Sequence, residues 1–188
     1  MGGQIAFGVA VLAWAGLEIF LHLFYNRRVR EGNAERLSKY VMLAVFAFAG
    51  FGARLATRDF AAGFRAPFTP VRWVGVALIL ASVALRTVCV AQLGGCYSVN
   101  LSVRPGQPLV TTGLYRLVRH PGYLAIMIGF VGLGLSFAHW LATPLCLILP
   151  PAVLAWRMRL EERLLEQAYG EEYRSWARRT RRLIPCLL

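Results

Sequence analysis

Two short stretches of this chain crowd histidine, arginine and glutamate against apolar sequence. The first is GLYRLVRHPGYLA, residues 113–125, where Tyr115, Arg116, Arg119, His120 and Tyr123 surround Pro121. The second is WRMRLEERLLEQAYG, residues 156–170, where Arg157 precedes Glu161 by four positions and Glu162 follows directly. Residues four apart share a helix face, so Arg157 and Glu161 stack as an ion-pair candidate while Glu162 is turned about 100° away. Proline is at home in the first turn of a helix, which puts His120 at a helix N-terminus among free amide donors and the positive end of the dipole. Imidazole, guanidinium and carboxylate gathered at one place can hold a zwitterion, orient an anion or move a proton. A third set lies inside apolar sequence: Glu18 and His22, four apart, and Arg86. Each is costly in hydrocarbon unless it is paired or faces water. Glu18 and Arg86 lie equally far from the predicted inner ends of their helices, so the two share a depth and can pair. Such a pair is either a bridge between helices or part of a substrate or proton path.

The elements that must carry these groups are membrane helices. The chain has 188 residues, 57% of them hydrophobic. The apolar residues fall into runs at Ile5–Tyr25, Tyr40–Ala56, Val71–Leu93, Tyr123–Ala138 and Trp140–Trp156. About 20 apolar residues cross the ~30 Å hydrocarbon layer, and the last two, shorter runs are separated by His139 as a helical hairpin. The pattern predicts an all-α integral membrane protein, a bundle of five transmembrane helices in one domain. Residues 1–93 hold three spans, and 94–188 hold a loop, the hairpin and C-terminal helices. The first run lacks a basic leader and a small-residue cleavage site and is followed by Arg27 and Arg28, so it reads as a retained helix.

Charge placement orients the bundle. The net charge is +12, and the basic residues sit in loops and the tail, which favours topology and anionic lipid over nucleic acid as the explanation. The 26–39 loop, the 94–119 loop and the C-terminus read as cytoplasmic and the N-terminus as external, with Trp73 and Trp140 near the outer ends. Gly-Gly, Pro-Gly and Thr-Thr-Gly elements predict that the 94–119 loop is built of turns around short extended segments. Beyond Pro151 the helical spacing continues past the bilayer to Gly170, and EEYRSWARR forms a second short helix. Cys89, Cys96, Cys146 and Cys186 have no redox or zinc spacing, so no metal site is expected and Cys96 reads as an ordinary buried thiol. Arginine dominates over lysine, and with abundant alanine and glycine this composition suggests a GC-rich bacterial genome and hence a bacterial inner membrane.

GLYRLVRHPGY, followed by EERLLEQAYGEEYRSW and RRLIP, resembles the isoprenylcysteine carboxyl methyltransferase and phospholipid methyltransferase group of integral membrane enzymes. The resemblance covers Asn100 to Pro185. It implies a small membrane bundle whose cytoplasmic side encloses S-adenosylmethionine, with S-adenosylhomocysteine as product and a tunnel from the cofactor into the lipid. It further implies that His120, Pro121 and Tyr123 help hold the cofactor, that Tyr115, Leu109 and Val110 wall its adenosine side, and that Asn100 and Gln107 add polar contacts. Glu161 would meet the cofactor's amino group and Arg157 the acceptor. Family members usually carry glycine where this chain has Ala125, which bears on helix packing there.

A sulfonium methyl needs no metal; the protein has to hold an acceptor lone pair in line with it and exclude water. A carboxylate acceptor could be oriented by Arg157 without a base, whereas an amine or thiol must lose a proton, for which His120 and Glu162 are the candidates. A lipid-soluble, isoprenoid-like acceptor is expected ahead of phosphatidylethanolamine or a prenylated protein, with membrane lipid as surroundings and no obligate protein partner. Two other classes share some of these features. NADPH-dependent sterol reductases have a similar C-terminal region but carry asparagine where Gly122 stands, and a non-enzymatic scaffold or transporter would explain the spans but not the two polar motifs.

Overall fold

The computed structural model describes residues 2–25, 36–44, 46–47, 69–101, 103–137 and 142–183. The described residues form, in order, the helices α1 (Gly2–Tyr25), α2 (residues 36–44, with 46–47 also helical), α3 (Pro70–Leu93), α4 (Pro121–Phe137), α5 (Ala142–Tyr169) and α6 (Glu171–Arg179). Short 3-10 turns occupy Gly94–Cys96 and Gly113–Arg116. Among the described residues there is no strand, and the extended segments expected around the loop turns reduce to one isolated parallel bridge between Val118 and Arg181.

The helix ends follow local chemistry. Pro70 and Pro121 open their helices, where a missing amide costs nothing. Gly170, at a φ of 56°, separates α5 from α6 in a left-handed conformation that only glycine adopts without strain. The chain therefore turns between the two helices at the position expected from the sequence. α5 runs unbroken through Pro150 and Pro151 and reaches well past the predicted span to Tyr169. Most of the expected second span, both polar connections outside it, and His139 and Trp140 lie outside the described residues.

α1 and α3 are long and apolar enough to cross a membrane, and α4 is a shorter apolar helix. Only 11% of the apolar stretch of α1 is buried, and Ile5, Leu12, Leu23 and Phe24 are 66% to 73% exposed. A core helix would bury these side chains, so this exposure marks a face made for lipid. Trp73 stands half-exposed in the first turn of α3, as expected for an interfacial indole.

The central contact is the seam between α3 and α4, which is built from small residues. A methyl group placed on Gly132 would lie 2.6 Å from the Gly75 carbonyl and 2.9 Å from the Ile79 amide. The backbones meet there with no room for a side chain, the arrangement small residues permit between membrane helices. Ser82 Oγ donates to the Ala125 carbonyl at 2.7 Å, and Ser136 Oγ to Gly132 at 2.8 Å. Ala125 itself is fully buried, so the alanine is accommodated in the seam. On the flank, Phe130 receives Trp14 edge-on at 5.0 Å and Phe46 at 4.6 Å, joining α1 and the helical residues 46–47 to the same core.

Candidate functional site

At one end of the seam the chain leaves α3 and returns to α4 through residues 94–120, and this loop is held from three sides. Gly113, at a φ of 60°, presses on Gln92, whose Oε1 accepts the Leu114 amide at 2.9 Å. Gln107 Nε2 donates to the Cys96 carbonyl at 3.3 Å, and Arg104 donates to the Gly95 carbonyl. Trp176 of α6 donates its indole N–H to the Tyr115 carbonyl at 3.0 Å. The turn-rich segment is therefore an ordered wall.

Behind that wall lies a cavity of about 460 Å³. Asn100, Gln107, Leu109, Val110, Tyr115, His120, Tyr123, Arg157 and Glu161 all line it. Of the candidate site residues singled out in the sequence, Pro121 and Glu162 are the members that do not: Pro121 is fully buried as the first residue of α4, and Glu162 sits behind His120. Glu18, His22 and Arg86 also line the cavity. Glu18 and Arg86 form the ion pair that their depths suggested, with Nε to Oε1 at 3.0 Å and a second contact at 3.3 Å, and Arg86 Nη2 also donates to Tyr97 Oη at 3.0 Å.

Arg157 departs from expectation. It is only 3% exposed and does not pair with Glu161. Its Nε donates to Tyr123 Oη at 3.1 Å, Nη1 to Ser38 Oγ at 3.2 Å and Nη2 to the Val99 carbonyl at 2.6 Å. Four-residue spacing shows which groups share a face of one helix, but these partners come from α2, α4 and the loop. Cys96 also departs from expectation, since it is half-buried and lines the cavity while Cys89 and Cys146 are buried; Cys186 lies outside the described residues.

His120 is 4% exposed and stands between two carboxylates, with Nδ1 3.8 Å from Glu161 and Nε2 3.3 Å from Glu162. Its carbonyl accepts the amides of Tyr123 and Leu124 as α4 begins. Glu162 also receives Arg119 Nε at 3.1 Å and Arg182 Nη2 at 2.5 Å. Burial alone would raise the Glu162 carboxyl, but the hydrogen bonds from His120 and Arg182 and their charge outweigh it and hold the group at about 2. Glu162 is thus a carboxylate at neutral pH, and an acceptor-only neighbour fixes the hydrogen of His120 on Nε2. Burial also pushes the Tyr115 phenol well above its usual range, so its hydroxyl stays neutral and able to donate. The supports that sequence reasoning missed are Ser38, Tyr97, Trp176 and Arg182. Their contributions are made across the fold, and no local spacing marks them.

Comparison with known proteins places this geometry. The sequence model of the isoprenylcysteine carboxyl methyltransferase (ICMT) family matches residues 74–167. A relative from Oryza sativa subsp. indica, named a probable protein-S-isoprenylcysteine O-methyltransferase, is 27% identical over 117 residues, 61% of each chain. The cobalt-zinc-cadmium resistance protein CzcN of Cupriavidus metallidurans is 33% identical over 124 residues, covering 62% of this chain and 55% of that protein. The chain thus spans about three fifths of the length of the curated relatives it matches. The solved structure of the eukaryotic intramembrane Ras methyltransferase ICMT superposes with a TM-score of 0.63 at 19% identity, over 77% of this chain and 52% of that one, and shares its fold. The matched segment runs from α3 through α5 and carries most of the cavity wall. This all-helical membrane chain belongs to the isoprenylcysteine carboxyl methyltransferase family.

Proposed function

We propose that the chain is an S-adenosylmethionine-dependent methyltransferase acting on a lipophilic acceptor that enters from the bilayer. The observation that carries this reading is the two-sided character of the cavity. One side presents Asn100, Tyr115, His120, Tyr123 and Glu161; the other presents Ile19, Leu23, Leu43 and Phe46 from α1 and the α2 region. Ile19, Leu23 and Leu43 are themselves exposed, which supports an apolar side that opens toward lipid. A cavity of about 460 Å³ is within the usual size of a small-molecule site.

The residues present fit the cofactor. Glu161 is about one-third exposed and faces the cavity, where a carboxylate suits an ammonium group. Leu109 and Val110 give the apolar wall that a purine needs, and Asn100, whose Oδ1 already accepts Lys39 Nζ at 3.0 Å, fixes the polar rim. When bound, the cofactor supplies an electrophilic methyl on sulfonium. The chain's own part is to bind, orient and exclude water. Arg157 is locked by three hydrogen bonds and cannot swing; each terminal nitrogen has one further N–H with which to orient an anionic acceptor head. For an acceptor that must lose a proton, Glu162 is a poor base because its charge is spent on cations, which leaves His120, whose Nδ1 on the Glu161 side can take a proton only when the ring is neutral. The relatives' names point to different biology, isoprenylcysteine in plants and metal resistance in a bacterium, so we infer the acceptor from the cavity as lipid-soluble and no more narrowly. Five spans in a bacterial inner membrane, with the cavity facing the cytoplasm, complete the proposal.

Calorimetric titration of detergent-purified protein with S-adenosylhomocysteine tests it. Saturable binding that is lost in His120→Ala is the expected result. Folded wild-type protein that binds none would reject the reading.

A further inference from the structure

His120 sits where the loop becomes α4, and its position depends on a segment that follows α6. Residues 180–183 run beside residues 117–120 as a short parallel strap: Arg181 N donates to the Leu117 carbonyl at 3.2 Å, Arg119 N to the Arg181 carbonyl at 2.7 Å, and His120 N to the Arg182 carbonyl at 3.1 Å. Thr180 and Leu183 are buried on either side of the two exposed or half-exposed arginines. The strap therefore holds the backbone of His120 directly.

It also holds the ring, through Glu162. Arg182 is the group that grips both oxygens of that carboxylate, with Nε to Oε1 at 3.1 Å and Nη2 to Oε2 at 2.5 Å. His120 Nε2 and Arg119 Nε reach only Oε1. Contacts at one oxygen leave a carboxylate free to rotate about the others; a fork at both oxygens fixes its plane. Arg119 has a separate duty, since its Nη1 donates to the Ala177 and Thr180 carbonyls, both at 2.6 Å, and closes the end of α6. Arg182 has no such second role, and at 41% side-chain exposure it can be altered without opening the core.

We infer that Arg182 is a positioning residue: by fixing the Glu162 carboxylate it fixes the His120 imidazole at the cavity wall, and it sets how far into acid the cavity keeps its cofactor affinity. The inference rests on the methyltransferase reading of the cavity. The charged and titratable groups facing Glu162 are Arg119 and His120 from the loop, Arg182 from the strap, Tyr173 from α6 and neighbouring Glu161 on α5. Of these, Arg182 is the cation whose loss leaves both the loop anchor and the helix end in place. Without it the Glu162 carboxyl moves up toward its ordinary range, and protonation releases His120 at a pH where the wild type still holds it.

The test compares wild type, Arg182→Ala and Arg182→Lys for S-adenosylhomocysteine affinity between pH 7.5 and about 3, together with melting temperature and the ring nitrogen resonances of His120 in histidine-labelled protein. Arg182→Ala should melt near wild type, bind about tenfold more weakly and lose affinity at a higher pH, with its His120 Nε2 resonance displaced, while Arg182→Lys recovers part of each. An unchanged acid limb and an unchanged Nε2 resonance in Arg182→Ala overturn the inference, as does a lower melting temperature with full affinity in the folded fraction. If the wild type binds no S-adenosylhomocysteine, the functional reading fails, and the Nε2 resonance alone then decides whether Arg182 positions His120.

Discussion

The α3–α4 seam and the cap formed by the 94–120 loop, the end of α5, α6 and the strap are held together by opposite means. In the seam Gly75 and Gly132 bring backbones into contact, and the polar groups close to each other are serine hydroxyls bonded to carbonyls. In the cap Arg119, Arg182, His120 and Glu162 form a charged cluster around one carboxylate. Lipid offers no hydrophobic drive for one helix to leave it for another, so the membrane half relies on close fit. Water competes for every charge in the cap, so that half relies on several partners converging on each group. The cavity lies where the two regimes meet, with an apolar side and a polar rim.

Perturbing either half should leave the signature of that half alone. The largest expected effect is in the cap: Glu161→Ala should weaken S-adenosylhomocysteine binding by more than 2 kcal/mol, on the order of fiftyfold, with little change in melting temperature. Calorimetry showing equal affinity would remove Glu161 from the cofactor's amino group. The counterpart in the seam is Gly132→Ala, whose new methyl must push against the Gly75 carbonyl and the Ile79 backbone. It should cost about 2 kcal/mol of stability and leave the affinity of the folded fraction unchanged. A variant as stable as wild type would show that the helices part easily.

Acid should distinguish the halves next. Glu162 is held at about 2 against an ordinary 4.5, so its stabilisation of the cap is complete above pH 4.5 and is lost as the pH falls toward 2. Melting temperature should decline through that window, and Glu162→Gln should flatten the decline; an identical slope in the variant would assign the acid sensitivity to other carboxylates. The smallest effect belongs to Glu18 and Arg86, the charged pair inside the membrane half. Glu18→Gln and Arg86→Gln together should be less damaging than either alone, with a coupling of about 1 kcal/mol. Strictly additive losses would mean that the 3.0 Å contact contributes no coupling.

The parts of this fold that local chemistry dictates could be read from the sequence. The apolar runs ending at Tyr25 and Leu93, the start of α4 at Pro121 and the break at Gly170 all coincide with a proline, a glycine or the end of a hydrophobic stretch. The Glu18–Arg86 pair was legible because depth in a membrane reduces a three-dimensional question to counting residues. Part of the cavity lining was legible through the motif resemblance, which brought Asn100, Tyr115, His120, Tyr123 and Glu161 to one place. Arg157 shows where that reasoning stops. The sequence offered Glu161 as its natural partner, but Ser38, 119 residues away, and Val99 satisfy it instead. The grip of Arg182 on Glu162 was invisible for the same reason, since a run of arginines after a short helix looks like any solvated tail.

The strap also has a consequence for biogenesis. The partners of Leu117, Arg119 and His120 lie some 60 residues further along the chain, beyond the three helices α4, α5 and α6. During synthesis α1, α3 and α4 can insert and pack before residues 180–183 exist, and throughout that interval the backbone amides of Arg119 and His120 have no strap to meet. The membrane bundle can therefore form early, while the wall of the cavity closes among the last events of folding, because the strap that completes it is synthesised after the helices it serves. A cell quality-control system that probes this face of the protein would meet an unfinished cap on every nascent chain, and docking of the strap would be the event that hides it.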